Sequence, residues 1–324
     1  MTARLSRDDD EEAILRVLAA AFERWPAADL LVPPIDHLRW KLRSHERALH
    51  FVGVIDGRVA ATRLHVVQRI KVGERILLSQ YGVDNAVLPQ YQGLGLMAAL
   101  RDFGWDHLGT YDMAYFVESD HPRMLALAPK VPVPLERIGN PVEVLSHDGS
   151  GLPPGRGSRS WQIESAQRFD ERTDAFWHEA SRPFDFIVVR DEKFLNHRFD
   201  RRGGTFEIRL ATEDGRMLGY LVMSRTSKRR YIADLLVLPG RLDVLEALVR
   251  DALVGFRATS AKSVRCWLPR HHPYRDVLER LGFRPRKHEV AFAFEPYRAT
   301  SDELRFLHNP RLAIHASISD SDLV

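Results

Sequence analysis

Gly93 and Gly95 stand two residues apart in the stretch Val83-Asp84-Asn85-Ala86-Val87-Leu88-Pro89-Gln90-Tyr91-Gln92-Gly93-Leu94-Gly95-Leu96-Met97. That spacing suits one kind of chemistry, the holding of an anion. Neither glycine has a Cβ, so the chain can turn tightly there and a ligand can come close to the main chain. The residues that follow place Leu96, Leu100 and Phe103 on one face and Arg101, Asp102 and Asp106 away from it, which predicts a helix over 94–108. The first turn of such a helix has unpaired N–H groups and a partial positive charge, and phosphate is a natural ligand for both. Ahead of the glycines, Arg75–Leu88 reads as a strand stopped by Pro89.

Two cofactor readings fit these residues. Gly93-Leu94-Gly95-Leu96-Met97-Ala98 matches a dinucleotide fingerprint with Ala98 in the third glycine position, and Asp112 follows near the ~20-residue spacing of a ribose-binding acid. Against it, antiparallel hairpin signals come first, and Gln90-Tyr91-Gln92 separates the strand end from the glycines. The second reading comes from a resemblance. Gln90-Tyr91-Gln92-Gly93-Leu94-Gly95, preceded by Ala86-Val87-Leu88-Pro89, resembles the acyl-CoA-binding motif of the GNAT N-acetyltransferases. The resemblance implies that Gln90, Gln92, Gly93, Leu94, Gly95, Leu96 and Met97 hold the pyrophosphate of acetyl-CoA or another acyl-CoA. It implies that main-chain groups of Ala86, Val87 and Leu88 pair with the pantetheine arm, and that the acceptor is an amine of a small molecule.

Moving an acyl group from a thioester to an amine needs the amine to lose a proton, because an alkylammonium near pKa ~10 is not nucleophilic. The developing oxyanion needs a fixed donor, and the departing thiolate benefits from a proton. By resemblance a main-chain amide at Val87 or a neighbour serves the oxyanion, an acid acting through water is the base, and a tyrosine on the helix after the fifth strand is the acid. The corresponding stretch here, Ser119-Asp120-His121-Pro122-Arg123-Met124-Leu125-Ala126-Leu127, has no tyrosine. The catalytic candidates are therefore Tyr81 and Asp84 on the motif strand, and Glu118 and Asp120, with His121, at the end of the next strand. Each also has a plain structural role open to it: Tyr81 as a strand aromatic, Asp84 as the anchor of a turn or bulge, Asp120 as a helix cap.

The elements that must position these residues occur twice. In the first half, acids precede a helical pattern at Ile14, Leu15, Leu18 and Phe22. An apolar segment follows at Leu30-Leu31-Val32, then a helix over 37–43, then Phe51–Ile55, an Asp56-Gly57 hairpin turn and a return strand Val59–Val67. A turn at 71–74, the motif strand and helix, a buried strand Met113–Val117 and a short helix over Arg123–Ala128 complete it. The second half repeats the order: Phe206–Leu210, turn Asp214-Gly215, Leu218–Arg225, Tyr231–Leu238 stopped by Pro239, helix Leu242–Phe256, strand Val264–Leu268, helix Tyr274–Leu281 ended by Gly282, and strand Glu289–Phe294. Pro89 and Pro239 stand 150 residues apart, which is the spacing of a duplicated domain. The Gly-, Pro- and Ser-rich stretch 149–158 reads as a linker.

These readings give an α/β chain of mixed sheets, two domains in tandem, each a mostly antiparallel sheet flanked by helices. Residues 1–155 form the acyl-CoA-binding domain. Residues 156–324 form a degenerate copy that shapes the acceptor cleft or acts as a lid, since Pro239-Gly240-Arg241-Leu242 lacks the paired glycines. A retained fold without turnover, sensing CoA or binding a carrier protein, is the alternative.

Composition bounds the rest. Hydrophobic residues are 44% and charged residues 28% of the 324, as in a soluble globular protein. No apolar run is long enough for a membrane span. The lone Cys266 allows no internal disulfide, which fits the cytoplasm. Residues 1–150 carry 17 Lys and Arg against 20 Asp and Glu, and 151–324 carry 30 against 24. That excess reads as a solvated surface rather than a nucleic-acid footprint. The scattered histidines, with His271-His272 the one adjacent pair, give no metal-ligand spacing, and no Gly-x-Ser-x-Gly elbow marks a hydrolase.

Overall fold

The computed structural model describes residues 1–22, 25–26, 31–43, 48–108, 110–117, 136–151, 160–199, 205–226 and 229–321. They form two compact units. The first comprises residues 1–69, 77–116 and 294–305, and the second residues 70–76, 117–293 and 306–324. The units therefore interleave along the chain instead of parting at one point.

In the first unit, strands β1 (Thr2–Leu5), β2 (Leu49–Ile55), β3 (Arg58–Val72), β4 (Arg75–Val87) and β5 (Met113–Val117) lie side by side in that order, and the strand Phe292–Pro296 follows β5. Asp56 and Gly57 both have left-handed dihedrals, φ +48° and +75°. That is what a two-residue turn between right-twisted strands demands. Antiparallel pairing holds β1 to β2 and β2 to β3, while β4 and β5 run parallel. Successive strand residues face opposite ways, so the sheet has two cores. On one face α1 (Glu11–Ala21) and α2 (Pro34–Leu42) bury Ile14, Val17, Leu18 and Leu38 against Val52 and Ala86. On the other, α3 (Leu96–Leu108) buries Leu96 and Leu100 against Leu49, Phe51 and Ala61.

The second unit carries a seven-stranded sheet. In chain order its strands are β7 (Val142–His147), β8 (Gln162–Ala166), β10 (Phe206–Glu213), β11 (Arg216–Ser224), β12 (Arg230–Val237), β13 (Val264–Pro269) and β14 (Arg284–Val290). They are arranged β14-β7-β13-β12-β11-β10-β8. Apart from these, the chain holds β6 (Glu136–Arg137), β9 (Phe186–Val188), β15 (the strand Phe292–Pro296) and β16 (Ile314–His315). The helix Leu242–Arg257 buries the expected stripe of Leu245, Leu248, Val249 and Ala252, together with Val244, Leu253 and Phe256. The single strand expected over Glu289–Phe294 is two: β14 pairs with β7 as far as Val290, and a separate strand begins at Phe292, whose carbonyl accepts from Ile138. The apolar run continues through the break while its pairing partner changes, and no side-chain pattern records such a change.

A fully buried ion cluster pins the carboxy-terminal segment within this unit. Arg190 donates to Asp234 at 3.0 Å through Nε and to Asp320 at 2.8 Å, and its Nη1 donates to the Val188 carbonyl. Tyr220 donates its hydroxyl to Asp234 at 2.8 Å. Burial pushes the Asp234 carboxyl up. Arg190 outweighs that, and Asp234 sits well below the usual carboxylate range.

Candidate functional site

The glycine bend lies open. Pro89–Tyr91 make one 3-10 turn, and the chain then exposes Gln92, Gly93, Leu94 and Gly95 before α3. Gly93 and Gly95 take φ +83° and +78°, a conformation costly for other L-residues. A Cβ on either would meet nothing within 4 Å. Among the described residues no main-chain carbonyl accepts from the amides of Gly93, Leu94, Gly95, Leu96, Met97 or Ala98. Ala99 is the first to close a helical bond, to Gly95 at 2.9 Å. The bend thus presents a row of free donors at the positive end of a helix, a surface an anion fits. Gln90 is exposed beside it, and the Gln92 side-chain Nε2 donates to the Val87 carbonyl at 3.3 Å.

The strand feeding the bend is irregular where the motif begins. Tyr81 and Val83 pack with Leu64 and Leu42, and Ala86 packs with Leu18, Val52 and, again, Leu42. Strict alternation would put Val83 and Ala86 on opposite faces. Asp84, at φ +52°, supplies the extra residue, as in a β-bulge. The parallel pairing of β4 with β5 covers Ser79 with Met113 and Gln80 with Ala114, and β4 runs on to Val87 beyond it. Ala86 is buried, while Val87, Leu88 and Met97 pack at the edge of the core under α3.

No family model matches this sequence, and no curated protein does. Solved structures match its shape. A protein of Enterococcus faecalis described as a probable N-acyltransferase superposes with a TM-score of 0.69 at 11% identity, covering 91% of this chain and 72% of that one. A GCN5-related N-acetyltransferase of Anabaena variabilis gives 0.65 at 11% identity, covering 90% and 72%. One of Kribbella flavida gives 0.62 at 16% identity, covering 91% and 71%. The fold is GNAT-like.

Within the first GNAT-like unit the catalytic candidates fare differently. Tyr81 is 4% exposed and belongs to the core. Asp84 is already engaged: Lys41 donates to Oδ2 at 2.7 Å and the Trp25 indole to Oδ1 at 2.8 Å, with both charged side chains under 10% exposed. Glu118, Asp120 and His121 lie outside the described residues, as does the helix expected over Arg123–Ala128. Asp84 and Tyr81 thus share a strand but not a site.

A polar chain that the motif does not announce runs along the α3 face. Arg63 donates through Nε to His65 Nε2 at 2.8 Å. The proton of His65 therefore sits on Nδ1 and goes to Gln80 Oε1 at 2.5 Å. Gln80 donates to the Tyr297 hydroxyl at 2.8 Å, and Tyr297 donates to Glu295 at 3.4 Å. Burial, with Arg63 adding to it, lowers His65 to about 3; burial raises Glu295. Nothing in the local sequence marks these residues as partners, since Gln80 and Tyr297 are 217 positions apart.

The second GNAT-like unit has the same strand and a closed site. Its β12 pairs in parallel with β13 from Arg230 to Ile232 only, then bulges after Ile232 in its pairing with β11. Where the splayed strand would face a ligand, the Tyr274 hydroxyl accepts from the Val237 amide at 3.0 Å and donates to the Val237 carbonyl at 3.3 Å. The helix then begins at Leu242 with no glycine pair ahead of it. Buried Cys266, its thiol pushed up to about 12 by burial, is part of this packing.

Proposed function

We propose that the chain is an acyl-CoA-dependent N-acyltransferase that moves an acetyl group from acetyl-CoA to a primary amine of a small molecule or sugar. The amino-terminal domain, residues 1–155, supplies the acyl-donor site. One observation carries this reading: the Gly93–Gly95 bend is exposed, left-handed at both glycines and lined with unengaged amides. The GNAT-like fold supports it, as does the contrast with the second unit, where Tyr274 takes the strand's hydrogen bonds.

In this reading the amides from Gly93 to Met97 and the side chains of Gln90 and Gln92 hold the pyrophosphate. The main chain of Ala86, Val87 and Leu88 aligns the arm that carries the thioester. The Val87 amide, or one beside it, stabilises the oxyanion as the amine attacks. Glu118 and Asp120, at the end of β5, take the proton the amine must lose. Tyr81 and Asp84 shape the strand. The thiolate leaves with an intrinsic pKa of ~8.5, by analogy with cysteine, so departure needs no dedicated acid. A cytoplasmic setting accompanies this chemistry.

Isothermal calorimetry tests the donor site. Wild-type protein binds CoA. Gly93→Trp and Gly95→Trp each abolish binding while the protein stays folded at the assay temperature: the space beyond each glycine is empty, and the left-handed dihedral costs each variant only about 1–2 kcal/mol of stability. Unchanged affinity in both variants refutes the assignment. The engagement of Asp84 and the burial of Tyr81 favour a second reading, a CoA-sensing module without turnover. Steady thioester consumption with a panel of amines excludes that reading, and binding without consumption establishes it.

A further inference from the structure

The second unit repeats the strand pairing of the first in register. A shift of 150 residues carries the β4–β5 pair Gln80 and Ala114 onto the β12–β13 pair Arg230 and Val264. The same shift carries Ser79, Tyr81 and Tyr115, all buried, onto Arg229, Tyr231 and Arg265, none of them buried. One copy seals this end of the strand pair, and the other places cations there.

The register gives the neighbours of Arg265. Tyr231 lies beside it on β12, and Ser146 lies on its other side on β7. Such cross-strand pairs share a face of the sheet, and Arg229, two residues before Tyr231, shares it as well. Arg229 and Arg286 are exposed, while Tyr231, Ser146 and Arg265 are half-buried. Among the described residues no carboxylate pairs with Arg229, Arg265 or Arg286. The Arg265 Nε is buried without a hydrogen-bond partner, and its two terminal nitrogens are unpaired and reach the surface. Burial holds its pKa below the usual arginine value, and the charges of Arg229 and Arg286 lower it further. The carboxylates on nearby strands are engaged elsewhere. Glu207 faces Arg230 at 3.0 Å, Arg225 at 3.3 Å and Arg209 at 3.5 Å, and Glu289 pairs with Arg270. Like charges left unanswered work against the compact state, and an unpaired buried donor among them calls for an explanation.

We propose that Arg229, Arg265 and Arg286, with the hydroxyls of Tyr231 and Ser146, bind a phosphate monoester. Guanidinium forks match phosphate oxygens in pairs, and the hydroxyls donate to the oxygens that remain. A monoester carries about two negative charges, so three cations answer it better than they answer the single charge of a carboxylate or a diester. The buried Nε touches nothing, but the charge it shares with the terminal nitrogens is neutralised once the anion sits on them. The site shares no residue with the glycine bend and stands apart from the acyl-donor reading.

The test is calorimetry on the Gly95→Trp chain, in which the bend is blocked. The probes are glycerol 3-phosphate, a monoester, and dimethyl phosphate, a diester. The monoester binds and the diester binds far more weakly. Adding Arg265→Gln weakens the monoester about tenfold, as the loss of a charge-assisted hydrogen bond does. Arg265→Lys restores the charge without the fork and recovers only part of the affinity. Folding is read separately. Without ligand, Arg265→Gln melts no lower than its parent, because it relieves repulsion, and glycerol 3-phosphate raises the melting temperature of the parent alone. Should that variant melt early, Arg229→Gln, at an exposed side chain, repeats the measurement. Monoester affinity unchanged by the glutamine variants overturns the proposal, as does failure of the monoester to bind. Full recovery in Arg265→Lys, or equal affinity for the two probes, shows a diffuse basic surface and overturns it too.

Discussion

Asp84 and Asp234 occupy the same place in the two motif strands, 150 residues apart, and each is held by a buried cation, Lys41 at 2.7 Å and Arg190 at 3.0 Å. The duplicated strand has kept a carboxylate at its bulge and changed what answers it. In the first unit the answer comes from a helix ahead of the sheet. In the second it comes from a cluster that also fastens Asp320. A buried ion pair contributes little compared with good apolar packing, but removing one partner leaves an uncompensated charge. The aspartates are better understood as fixing the path of the strand than as free bases.

Lys41→Met is therefore expected to destabilise the protein by about 3 kcal/mol, read as a lower urea midpoint at neutral pH. The double variant Lys41→Met with Asp84→Asn regains much of that loss, because no charge is then stranded. Equal losses in the single and double variants would show that packing of the lysine stem, not charge, holds the bulge.

Tyr274→Phe removes the hydroxyl that serves both the amide and the carbonyl of Val237. Two buried main-chain groups then lack a partner, and the expected loss is about 2 kcal/mol. The same variant separates structure from binding. CoA stoichiometry stays at one per chain, since the second unit still lacks a glycine bend. Titration to two equivalents would show that the tyrosine alone closes that site.

Features that depend on neighbours in sequence were legible there. Asp56-Gly57 and Asp214-Gly215 announce hairpins because both residues of such a turn need positive φ, and both pairs have it. Gly93 and Gly95 announce an open bend for the same reason. Features made by distant pairing were not. The strand Val142–His147 sits between β14 and β13, although it precedes the glycine- and proline-rich stretch that reads as a linker. Nothing in its composition says which sheet it joins. Lys41 and Trp25 are ordinary residues until folding brings them to Asp84. Tyr297 and Glu295 reach Gln80 only through a strand near the end of the chain. Arg265, one cation among many in the second half, carried no signal until its Nε proved to be unpaired.

Acid should weaken the first unit through its buried histidines. Burial lowers His50 to about 4 and, with Arg63, His65 to about 3, whereas an unfolded histidine titrates near 6.5. Both are neutral in the native state. Their contribution is complete above pH ~6.5 and is lost as pH falls towards the native values, because only the unfolded chain then takes up the protons. Each costs ~1.4 kcal/mol per pH unit across that window. Chemical denaturation at pH 6.5 and 5.5 should show a drop of about 2 kcal/mol, since the unfolded histidines are half protonated at the upper pH, and His50→Leu should remove about half of it. An unaltered slope in that variant would place the titrating group elsewhere.

Two glycines of the second unit should respond in opposite directions to the same substitution. Gly139 donates to the Leu307 carbonyl at 2.8 Å, and a Cβ there would stand 1.9 Å from the carbonyl oxygen of His308 and 2.4 Å from its carbon. Both are main-chain atoms of a segment already tied back to the strand, so the contact cannot be relieved by a rotamer change. Gly139→Ala is expected to cost about 3 kcal/mol. Gly255, in the helix Leu242–Arg257, has nothing within 4 Å of its would-be Cβ and no left-handed dihedral. Gly255→Ala restricts the unfolded chain without a clash and should stabilise by about 0.5–1 kcal/mol. Melting temperatures on either side of wild type are the expected result. A Gly139→Ala variant as stable as the parent would mean that the main chain at His308 does not press on residue 139 in solution.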